Sequence, residues 1–342
     1  MSKELFGKTK EGKDAYLYTI TGSKGIEAKI LDYGANLQSL FVPVNGKKVD
    51  VVLGYDNIEQ YFDNGPNLGA SVLPCANRIG DAKFTLNGVD YSLEVNDNHN
   101  NLHSALNGFH RRLWTVAEVT DNSITFEAHM NDGEIGFPGN LDMTLTYTLT
   151  DDNALKIEYS ATTDKDTIFN PTNHSYFNLA GHDAGSVLDQ VIWMDADNFT
   201  VTDKYSIPTG VIAPVKGTPL DFTTPKAIAD AEDESFEQIG WAGGVDHNYC
   251  LNAHDITKPI AYLLNKESGL KMEVYTDLPG CQIYTANYLS NEPGKGGVTY
   301  NKREGVCLET QYFPNAINIP AFEQPIAKAK EVTKTTTIYK FV

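Results

Sequence analysis

Apolar and polar residues alternate along much of this chain, and that two-residue period constrains the fold more than any other feature of the sequence. Successive side chains of a β-strand point to opposite faces of its sheet, so alternation predicts strands with one buried face. The clearest case is the segment 141–149, which has an apolar residue at every second position and precedes the turn residues 151–153. The same alternation resumes over 155–161. These segments predict an antiparallel hairpin.

A second hairpin is indicated by the dipeptide Asn87-Gly88, which lies between the alternating segments 84–86 and 89–93. Asparagine and glycine both tolerate the positive φ that tight hairpin turns require. Five more strands are predicted, over 116–119, 123–130, 270–276, 282–288 and 335–342.

Helical patterns are few and short. The best lies over 225–239, where Pro225 can occupy the first turn and four apolar residues form a loose face, namely Ala227, Ile228, Ala231 and Phe236. We find no linker, low-complexity tract or internal repeat. The sequence therefore predicts an all-β fold of antiparallel strands with few short helices, in one domain over residues 1–342.

The chain is strongly acidic, with 27 Lys and Arg residues against 45 Asp and Glu residues and a formal net charge of −18. Such a surface repels nucleic acids and anionic membranes, and no basic run offsets it. The first residues lack the apolar core of a signal peptide, and no stretch of about 18 apolar residues occurs. We therefore expect a cytoplasmic protein whose cysteines are free thiols, at positions Cys75, Cys250, Cys281 and Cys307.

Two polar and aromatic motifs carry the functional signal. Segment 170–179 (NPTNHSYFNL) surrounds His174 with amides, with the hydroxyl of Ser175 and with the ring of Tyr176. Such groups suit a sugar, because amides and hydroxyls bind its hydroxyl groups and aromatic faces cover its C–H faces. Segment 307–315 (CLETQYFPN) places Glu309 in a similar setting. Together the two motifs predict an acid/base pair.

These motifs strongly resemble those of the galactose mutarotase (aldose 1-epimerase) family, and the resemblance extends through nearly the whole chain. It implies a large antiparallel β-sandwich, the supersandwich of that family. It also implies an enzyme that interconverts the α and β anomers of galactose, glucose or a similar aldohexose. The partner is then a small sugar, and the chemistry needs no cofactor or metal.

Mutarotation requires one base and one acid on the same sugar, because the anomeric hydroxyl loses a proton while the ring oxygen gains one. The resemblance assigns His174 as the general acid at the ring oxygen and Glu309 as the general base at the anomeric hydroxyl. An ionised glutamate beside the histidine is expected to favour the protonated imidazole. The competing interpretations are a structural histidine on a strand and a solvated surface carboxylate.

The resemblance also assigns sugar-binding roles, to Asn77, Arg78, His103, Asp246 and Gln282. Two of these have structural alternatives, since Arg78 could form an ion pair with a carboxylate and Asp246 could cap a local turn. Tyr284 lies two residues after Gln282 on the same strand face, so it is predicted to pack against the sugar or in the core. His247 is predicted to be structural.

A metal site is the alternative for the histidine-rich loop 98–110. His99 and His103 are four residues apart, but the loop is rich in Asn and Gly, so no helix places both rings on one face, and no C-x-x-C or H-E-x-x-H motif accompanies them. We therefore expect no metal. Many family members carry glycines directly after the matching histidine, whereas this chain has Ser104-Ala105, which restricts the loop.

Three other functions compete with a mutarotase. A glycosidase could use Asp246 and Glu309 as its carboxylate pair. An epimerase of hexose 6-phosphates would need a basic cluster, for which Arg111-Arg112 beside His110 is the one local candidate. A non-catalytic sugar-binding or sugar-sensing protein would need no paired acid and base. No G-x-S-x-G, P-loop or G-x-G-x-x-G motif supports hydrolase or nucleotide chemistry.

Overall fold

Antiparallel strands in three larger sheets form most of the chain in the computed structural model, which describes residues 1–342. The first sheet follows chain order and contains the strands Ser2–Lys8, Asp14–Thr21, Glu27–Leu31, Asn36–Val44 and Lys47–Asp50. The third sheet has the spatial order Pro208–Pro214, Asn198–Thr202, Asp246–Cys250, Gly280–Tyr284 and Cys307–Gln311.

The second sheet has nine strands, and the hairpin predicted from the strongest alternation lies within it. Leu141 pairs with Thr163 and Leu149 with Leu155, and every second residue of the strand Leu141–Leu149 is buried. In spatial order the strands are Thr115–Val119, Ser123–Met130, Leu141–Leu149, Ala154–Thr163, Val332–Phe341, Lys271–Thr276, Ala261–Leu264, Val191–Met194 and Lys226–Ala227.

Shorter elements connect these sheets. Five two-stranded ribbons pair Ala70–Val72 with Thr172–His174, Arg78–Ile79 with Asn101–Leu102, Lys83–Leu86 with Val89–Ser92, Thr167–Ile168 with Ile326–Ala327, and Glu292–Pro293 with Thr299–Tyr300. The two α-helices are Ile58–Asp63 and Glu237–Ala242. Short 3₁₀ turns occupy Gly80–Ala82, Phe109–Arg111, Glu134–Gly136, Ile228–Ala231, Lys295–Gly297 and Ala316–Asn318.

The second and third sheets face each other to form a sandwich. Their contact is made by the strands Val332–Phe341 and Cys307–Gln311, where the Tyr339 hydroxyl donates to the Leu308 carbonyl at 2.9 Å. A cluster of 62 buried apolar residues, drawn from Tyr18 to Phe341, includes residues of all three larger sheets. The predicted all-β sandwich with few short helices is confirmed.

A second apolar cluster of 15 buried residues lies apart from this main core. It is rich in tyrosine, including Tyr55, Tyr61, Tyr176, Tyr284 and Tyr300. Buried tyrosine hydroxyls require hydrogen-bond partners, so this region combines an apolar body with fixed polar atoms. Two of these tyrosines, Tyr176 and Tyr284, reach the cavity described below.

The turn at Asn87-Gly88 is confirmed, with φ values of 51° and 77° between the paired strands Lys83–Leu86 and Val89–Ser92. All four cysteines are free thiols, and Cys250 alone among them is half-buried. No helix of this structure combines the length and the apolar character that crossing a membrane requires.

The helix predicted over 225–239 is wrong. Lys226–Ala227 instead pairs with Val191 and Ile192 at the edge of the second sheet, and a 3₁₀ turn follows. The Asp233 carboxylate then accepts hydrogen bonds from the backbone N–H and the hydroxyl of Ser235, which stabilises a turn rather than a helix. The α-helix begins only at Glu237.

The strand predicted over 282–288 is shorter than expected and shifted toward the N-terminus, at Gly280–Tyr284. Ala286 has a φ of 54°, so the chain leaves the extended conformation there. The Thr285 hydroxyl also bonds outside the sheet, donating to Glu232 Oε1 at 2.6 Å.

Candidate active site

A cavity of about 340 Å³ brings most of the predicted site residues together. The third sheet supplies one wall, and loops of the first half of the chain supply the other. Its lining residues are Gly65, Pro66, Asn67, Asn77, Arg78, Leu102, His103, His174, Tyr176, Asp246, Tyr284, Tyr288, Leu289, Glu292 and Glu309. Residues from segments far apart in sequence therefore converge on one pocket of a size suited to a small molecule.

His174 and Glu309 meet in this cavity and are both buried. His174 ends the strand Thr172–His174, while Glu309 lies in the middle of Cys307–Gln311. The His174 Nε2 atom is 3.6 Å from Glu309 Oε1, and the Glu309 Oε2 atom has no hydrogen-bond partner. The interpretation of Glu309 as a solvated carboxylate is therefore wrong, and one of its oxygens is buried without a hydrogen-bond partner.

Burial dominates the protonation of this pair. It raises the pKa of Glu309 well above the usual value, with a smaller contribution from the Asp246 charge. It also lowers the pKa of His174, to about 4. The expectation that an ionised glutamate would keep this imidazole protonated is wrong, because burial penalises both charged forms. One proton on Glu309 and a neutral His174 is the favoured state without ligand.

His103 is held as a hydrogen-bond donor toward the cavity. Its Nδ1 atom accepts from the backbone N–H of Asn77 at 3.1 Å, so the neutral ring carries its proton on Nε2. Its ring meets that of His174 edge-on at 5.2 Å between centroids.

The donor atoms of His103, His174 and Glu309 lie within 4.8 Å of one another, which is a spacing that could hold a metal ion. A histidine ligand must offer a lone pair on one ring nitrogen and usually carries a proton on the other. The His103 Nδ1 lone pair is already engaged by the Asn77 N–H, and its Nε2 carries the proton. This trio is therefore better suited to binding a hydroxyl group than a metal ion.

Ser104 stands where many family members have glycine, and two hydrogen bonds stabilise its backbone conformation. Ser104 has a φ of 73°, a region that favours glycine. Its buried hydroxyl donates to the Cys75 carbonyl at 2.9 Å and accepts from the Cys75 N–H at 3.0 Å. These two bonds offset the backbone strain and fix the loop that carries His103.

Arg78 lines the cavity and also forms an ion pair. Its Nε atom donates to Asp97 Oδ2 at 2.7 Å, as the structural alternative predicted. Its terminal N–H groups bond no other protein group, so they remain available to a ligand in the cavity.

Asp246 and Gln282 act as a pair. The Gln282 Nε2 atom donates to Asp246 Oδ1 at 2.7 Å, and Asp246 makes no local backbone cap. Gln282 in turn accepts from Gln311 Nε2 at 3.2 Å, and the same Gln311 nitrogen donates to Asn248 at 3.1 Å. The structural alternative for Asp246, a turn cap, is therefore wrong. The side-chain network that orients it includes Asn248 and Gln311, which the sequence did not single out.

Tyr176 and Tyr284 cover an aromatic wall of the cavity, with ring centroids 5.8 Å apart. The Tyr176 hydroxyl donates to the Pro66 carbonyl at 2.6 Å, which fixes its ring. Ser175, by contrast, does not line the cavity. Its hydroxyl donates to Asn173 Oδ1 at 2.6 Å, because alternation along the extended chain turns it away from the face that carries His174.

Comparison with known proteins decides the family. The family model described as Aldose 1-epimerase matches residues 16–340. The chain belongs to the aldose 1-epimerase family. The enzyme is 38% identical to the galactose mutarotase of Rattus norvegicus over 343 residues, which cover 100% of this chain and 98% of that protein. It is 34% identical to the aldose 1-epimerase of Escherichia coli K12, covering 97% of this chain and 96% of that protein.

Solved structures agree with this assignment. An aldose epimerase homologue from C. elegans superimposes with a TM-score of 0.90 at 27% identity, covering 96% of this chain and 99% of that one. A galactose 1-epimerase from Lactobacillus acidophilus gives a TM-score of 0.86 at 27% identity, covering 100% and 98%. The enzyme is therefore an isomerase that acts on a sugar, and the resemblance stated from the sequence is confirmed.

Sequence reasoning missed the outer wall of the enzyme's cavity. This wall contains Tyr288 and Leu289 from one loop, Glu292 from the strand that follows it, and the segment 65–67 from another loop. Neither loop carries a motif with an evident chemical role. The one usable signal in the sequence was the aromatic residue Tyr288. In the structure its side chain is 65% exposed and lies beside the buried Leu289.

A buried ion pair supports the loop that leads into Asp246. The Arg303 Nη2 atom lies 2.7 Å from Glu232 Oε2, and both side chains are about nine-tenths buried. Arg303 also donates to the carbonyls of Gly243 and Thr285, while Glu232 accepts from a backbone N–H of the turn 243–245. The pair therefore fixes the turn from which Asp246 enters the cavity.

Replacing Arg303 with methionine should lower the free energy of unfolding by about 3 kcal/mol, because it leaves the Glu232 carboxylate buried without its partner. The looser turn should also raise the KM for sugar several-fold more than it lowers kcat. Urea unfolding and steady-state kinetics measure the two effects. Lys302→Met is the matched control, since Lys302 pairs with Glu234 at an exposed site and should change stability by less than about 1 kcal/mol.

His247 gives the enzyme a defined pH dependence of stability. Its Nδ1 atom accepts from the Asp246 N–H at 3.1 Å, and burial lowers its pKa to about 4 from the ordinary value of 6.5. On acidification the unfolded chain takes up this proton first, so stability is lost as the pH falls from 6.5 toward 4. His247→Asn should reduce the slope of unfolding free energy between pH 6 and pH 4.5 by about 1.4 kcal/mol per pH unit. Urea titrations at several pH values test this, and an unchanged slope would contradict a neutral buried His247.

Proposed function

We propose that the enzyme interconverts the α and β anomers of galactose, glucose or a related aldohexose, with Glu309 as the general base and His174 as the general acid. The observation that carries this proposal is the buried His174–Glu309 pair, which lines a cavity together with hydroxyl-binding groups. The names of the relatives, galactose mutarotase and aldose 1-epimerase, support the choice of sugar.

The reaction balances within this pair. Glu309 takes the proton of the anomeric hydroxyl, the bond between C1 and the ring oxygen breaks, and His174 donates a proton to the ring oxygen. The resulting aldehyde rotates about the bond to C2. Reclosure on the other face reverses both proton transfers, so the acid and base return to their starting states and no electron or group is lost.

Ligand binding supplies the charged form that this chemistry needs. The pair favours protonated Glu309 and neutral His174, and proton transfer between them gives the carboxylate and the imidazolium without any exchange with solvent. A sugar hydroxyl that donates a hydrogen bond to the Glu309 carboxyl group stabilises the carboxylate, and the Arg78 charge acts in the same direction. Binding and activation of the acid/base pair are therefore coupled.

The remaining lining residues suit a polyhydroxylated ring. His103 Nε2–H and the terminal N–H groups of Arg78 are donors, and the Asp246 carboxylate is an acceptor oriented by Gln282. The rings of Tyr176 and Tyr284 provide an apolar face for the C–H groups of a pyranose. Alternating polar and aromatic contacts of this kind fix orientation as well as affinity.

The competing functions lack comparable support. Arg111 donates to the carbonyls of Leu106 and Asn64, while Arg112 pairs with Glu134, and neither arginine lines the cavity. A phosphate group would therefore find no free basic cluster there. A pure sugar binder would have no need of a buried, proton-sharing acid and base, and a glycosidase would leave His174 without a role.

Proton NMR distinguishes these functions in one series. With catalytic protein and fresh α-D-galactose, the α anomeric signal should convert to the β signal faster than in buffer. Methyl β-D-galactoside, which has no free anomeric hydroxyl, should remain unchanged. Release of methanol from that galactoside would instead establish a glycosidase, and an unaccelerated α signal would reject the mutarotase proposal.

A further inference from the structure

The cavity carries an excess of negative charge that the proposed proton transfers do not use. Its carboxyl groups are those of Asp246, Glu292 and Glu309, and with Glu309 protonated two carboxylates remain against the single guanidinium of Arg78. That guanidinium is already paired with Asp97 at 2.7 Å. A ligand that brings its own negative charge would therefore meet no unpaired cation in the cavity.

The three carboxyl groups differ in what compensates them. Glu309 is neutral, because burial raises its pKa well above the usual value. Asp246 is held by the amide of Gln282 at 2.7 Å. Glu292 forms no ion pair, and its only protein partner is the neutral hydroxyl of Tyr55, which donates to Oε1 at 2.6 Å. Its Oε2 atom thus accepts no hydrogen bond from the protein.

The position of Glu292 is well fixed. It lies in the two-stranded ribbon Glu292–Pro293 with Thr299–Tyr300, and it pairs directly with Tyr300. Lys295 lies between the two strands of this ribbon and connects it to the first sheet. Its buried Nζ atom lies 2.6 Å from Asp50 Oδ2 and also donates to the carbonyls of Gln38 and Val52. A carboxylate held on such a support cannot swing away from an approaching anion at low cost.

We propose that Glu292 is a specificity-determining residue that restricts the cavity to neutral aldoses and rejects anionic ones, such as uronates and sugar phosphates. This rests on the proposed mutarotase function and defines its substrate class. A hydroxyl group of a neutral sugar donates a hydrogen bond to Glu292, whereas a carboxylate or phosphate on the same ring is repelled by it. Repulsion against the wrong ligand is a common source of specificity where attractive contacts alone discriminate poorly.

The test compares anomer exchange of D-galactose and D-galacturonate by NMR, in the wild type and in Glu292→Gln. We expect the wild type to prefer galactose by at least about a hundredfold in kcat/KM. Glu292→Gln should narrow that ratio by about tenfold, and Glu292→Lys should narrow it further. The ratio is the readout, because removing a cavity group will also change the absolute rate on galactose.

Two controls separate local charge from other effects. Tyr55→Phe removes the hydrogen bond to Glu292 but keeps its charge, so the discrimination should persist. Glu267→Gln makes the same change in net charge at an exposed turn of the second sheet and should leave the ratio unchanged. Melting temperatures of all variants establish that each is folded.

Several outcomes would overturn the proposal. These are a wild type that uses galacturonate as well as galactose, a Glu292→Gln variant with the wild-type ratio, or a Glu267→Gln variant with an equal change. Failure of the wild type to accelerate galactose itself is a different result, which would reject the mutarotase function rather than the role of Glu292.

Discussion

Glu309→Gln is expected to lower the turnover of galactose by about a thousandfold while sugar binding stays within a few-fold of the wild type. The amide keeps the size of the side chain and can still accept a hydrogen bond from the anomeric hydroxyl. It cannot take the proton of that hydroxyl, so the ring cannot open through the acid/base pair. The loss should therefore appear in kcat rather than in KM.

Polarimetry at several galactose concentrations separates the two constants, and isothermal calorimetry measures binding directly. The substitution removes a buried carboxyl group without leaving a void, so the melting temperature should remain close to that of the wild type. Glu267→Gln is the matched control, because Glu267 is exposed and does not line the cavity. Gln311→Glu is not a suitable control, because it adds a charge to the strand face that carries Glu309. A Glu309→Gln enzyme that turns over galactose within tenfold of the wild type would show that Glu309 is not the base.

His174→Ala should reduce kcat by a similar factor, about a thousandfold, because it removes the group that is proposed to protonate the ring oxygen. His103 cannot replace it, since the Asn77 N–H occupies its Nδ1 atom and leaves a neutral Nε2–H donor. The alanine variant also opens space next to Glu309. We therefore expect added imidazole to restore part of the lost rate, with saturation as the space fills.

Free imidazole also catalyses mutarotation in solution, so its rate without protein must be subtracted at each concentration. His103→Ala is the matched control. It removes a donor rather than the acid, so we expect a loss of about tenfold to a hundredfold that imidazole does not restore. Equal rescue of both variants would contradict separate roles for the two histidines.

The hairpins and the two main site motifs could be predicted from the sequence, because each depends on local patterns. Alternation over 141–149 continues for nine residues, and no other regular structure buries every second side chain. The prediction of a helix over 225–239 failed because the structure there depends on contacts with distant segments. Its loose apolar spacing fits a helix, but pairing of Lys226–Ala227 with a distant strand and the turn at Asp233 outweigh that local preference.

The convergence of the site depends on contacts that no local pattern encodes. Asn248 and Gln311 orient the Asp246–Gln282 pair only because the strands Asp246–Cys250, Gly280–Tyr284 and Cys307–Gln311 are neighbours in register. Glu292 reaches the cavity through a ribbon anchored by Lys295 on the first sheet. Such residues can be found only once the sheet order is known.

The protonation of the acid/base pair was predicted incorrectly for a related reason. The closeness of a carboxylate alone favours the imidazolium form of a histidine. The sequence does not show how deeply the two side chains are buried. In the folded enzyme both groups are at most 5% exposed, so desolvation outweighs their attraction and each neutral form is favoured. The sign of this balance requires the three-dimensional environment.

Polarimetry of pure α-D-galactose tests the central claim most directly. Optical rotation should approach its equilibrium value with a first-order rate that rises in proportion to enzyme concentration, and the final value should equal that of the uncatalysed solution. The rate increase should disappear in the double variant His174→Ala, Glu309→Gln. An approach to equilibrium at the buffer rate with wild-type enzyme, or an undiminished acceleration in the double variant, would contradict the mechanism.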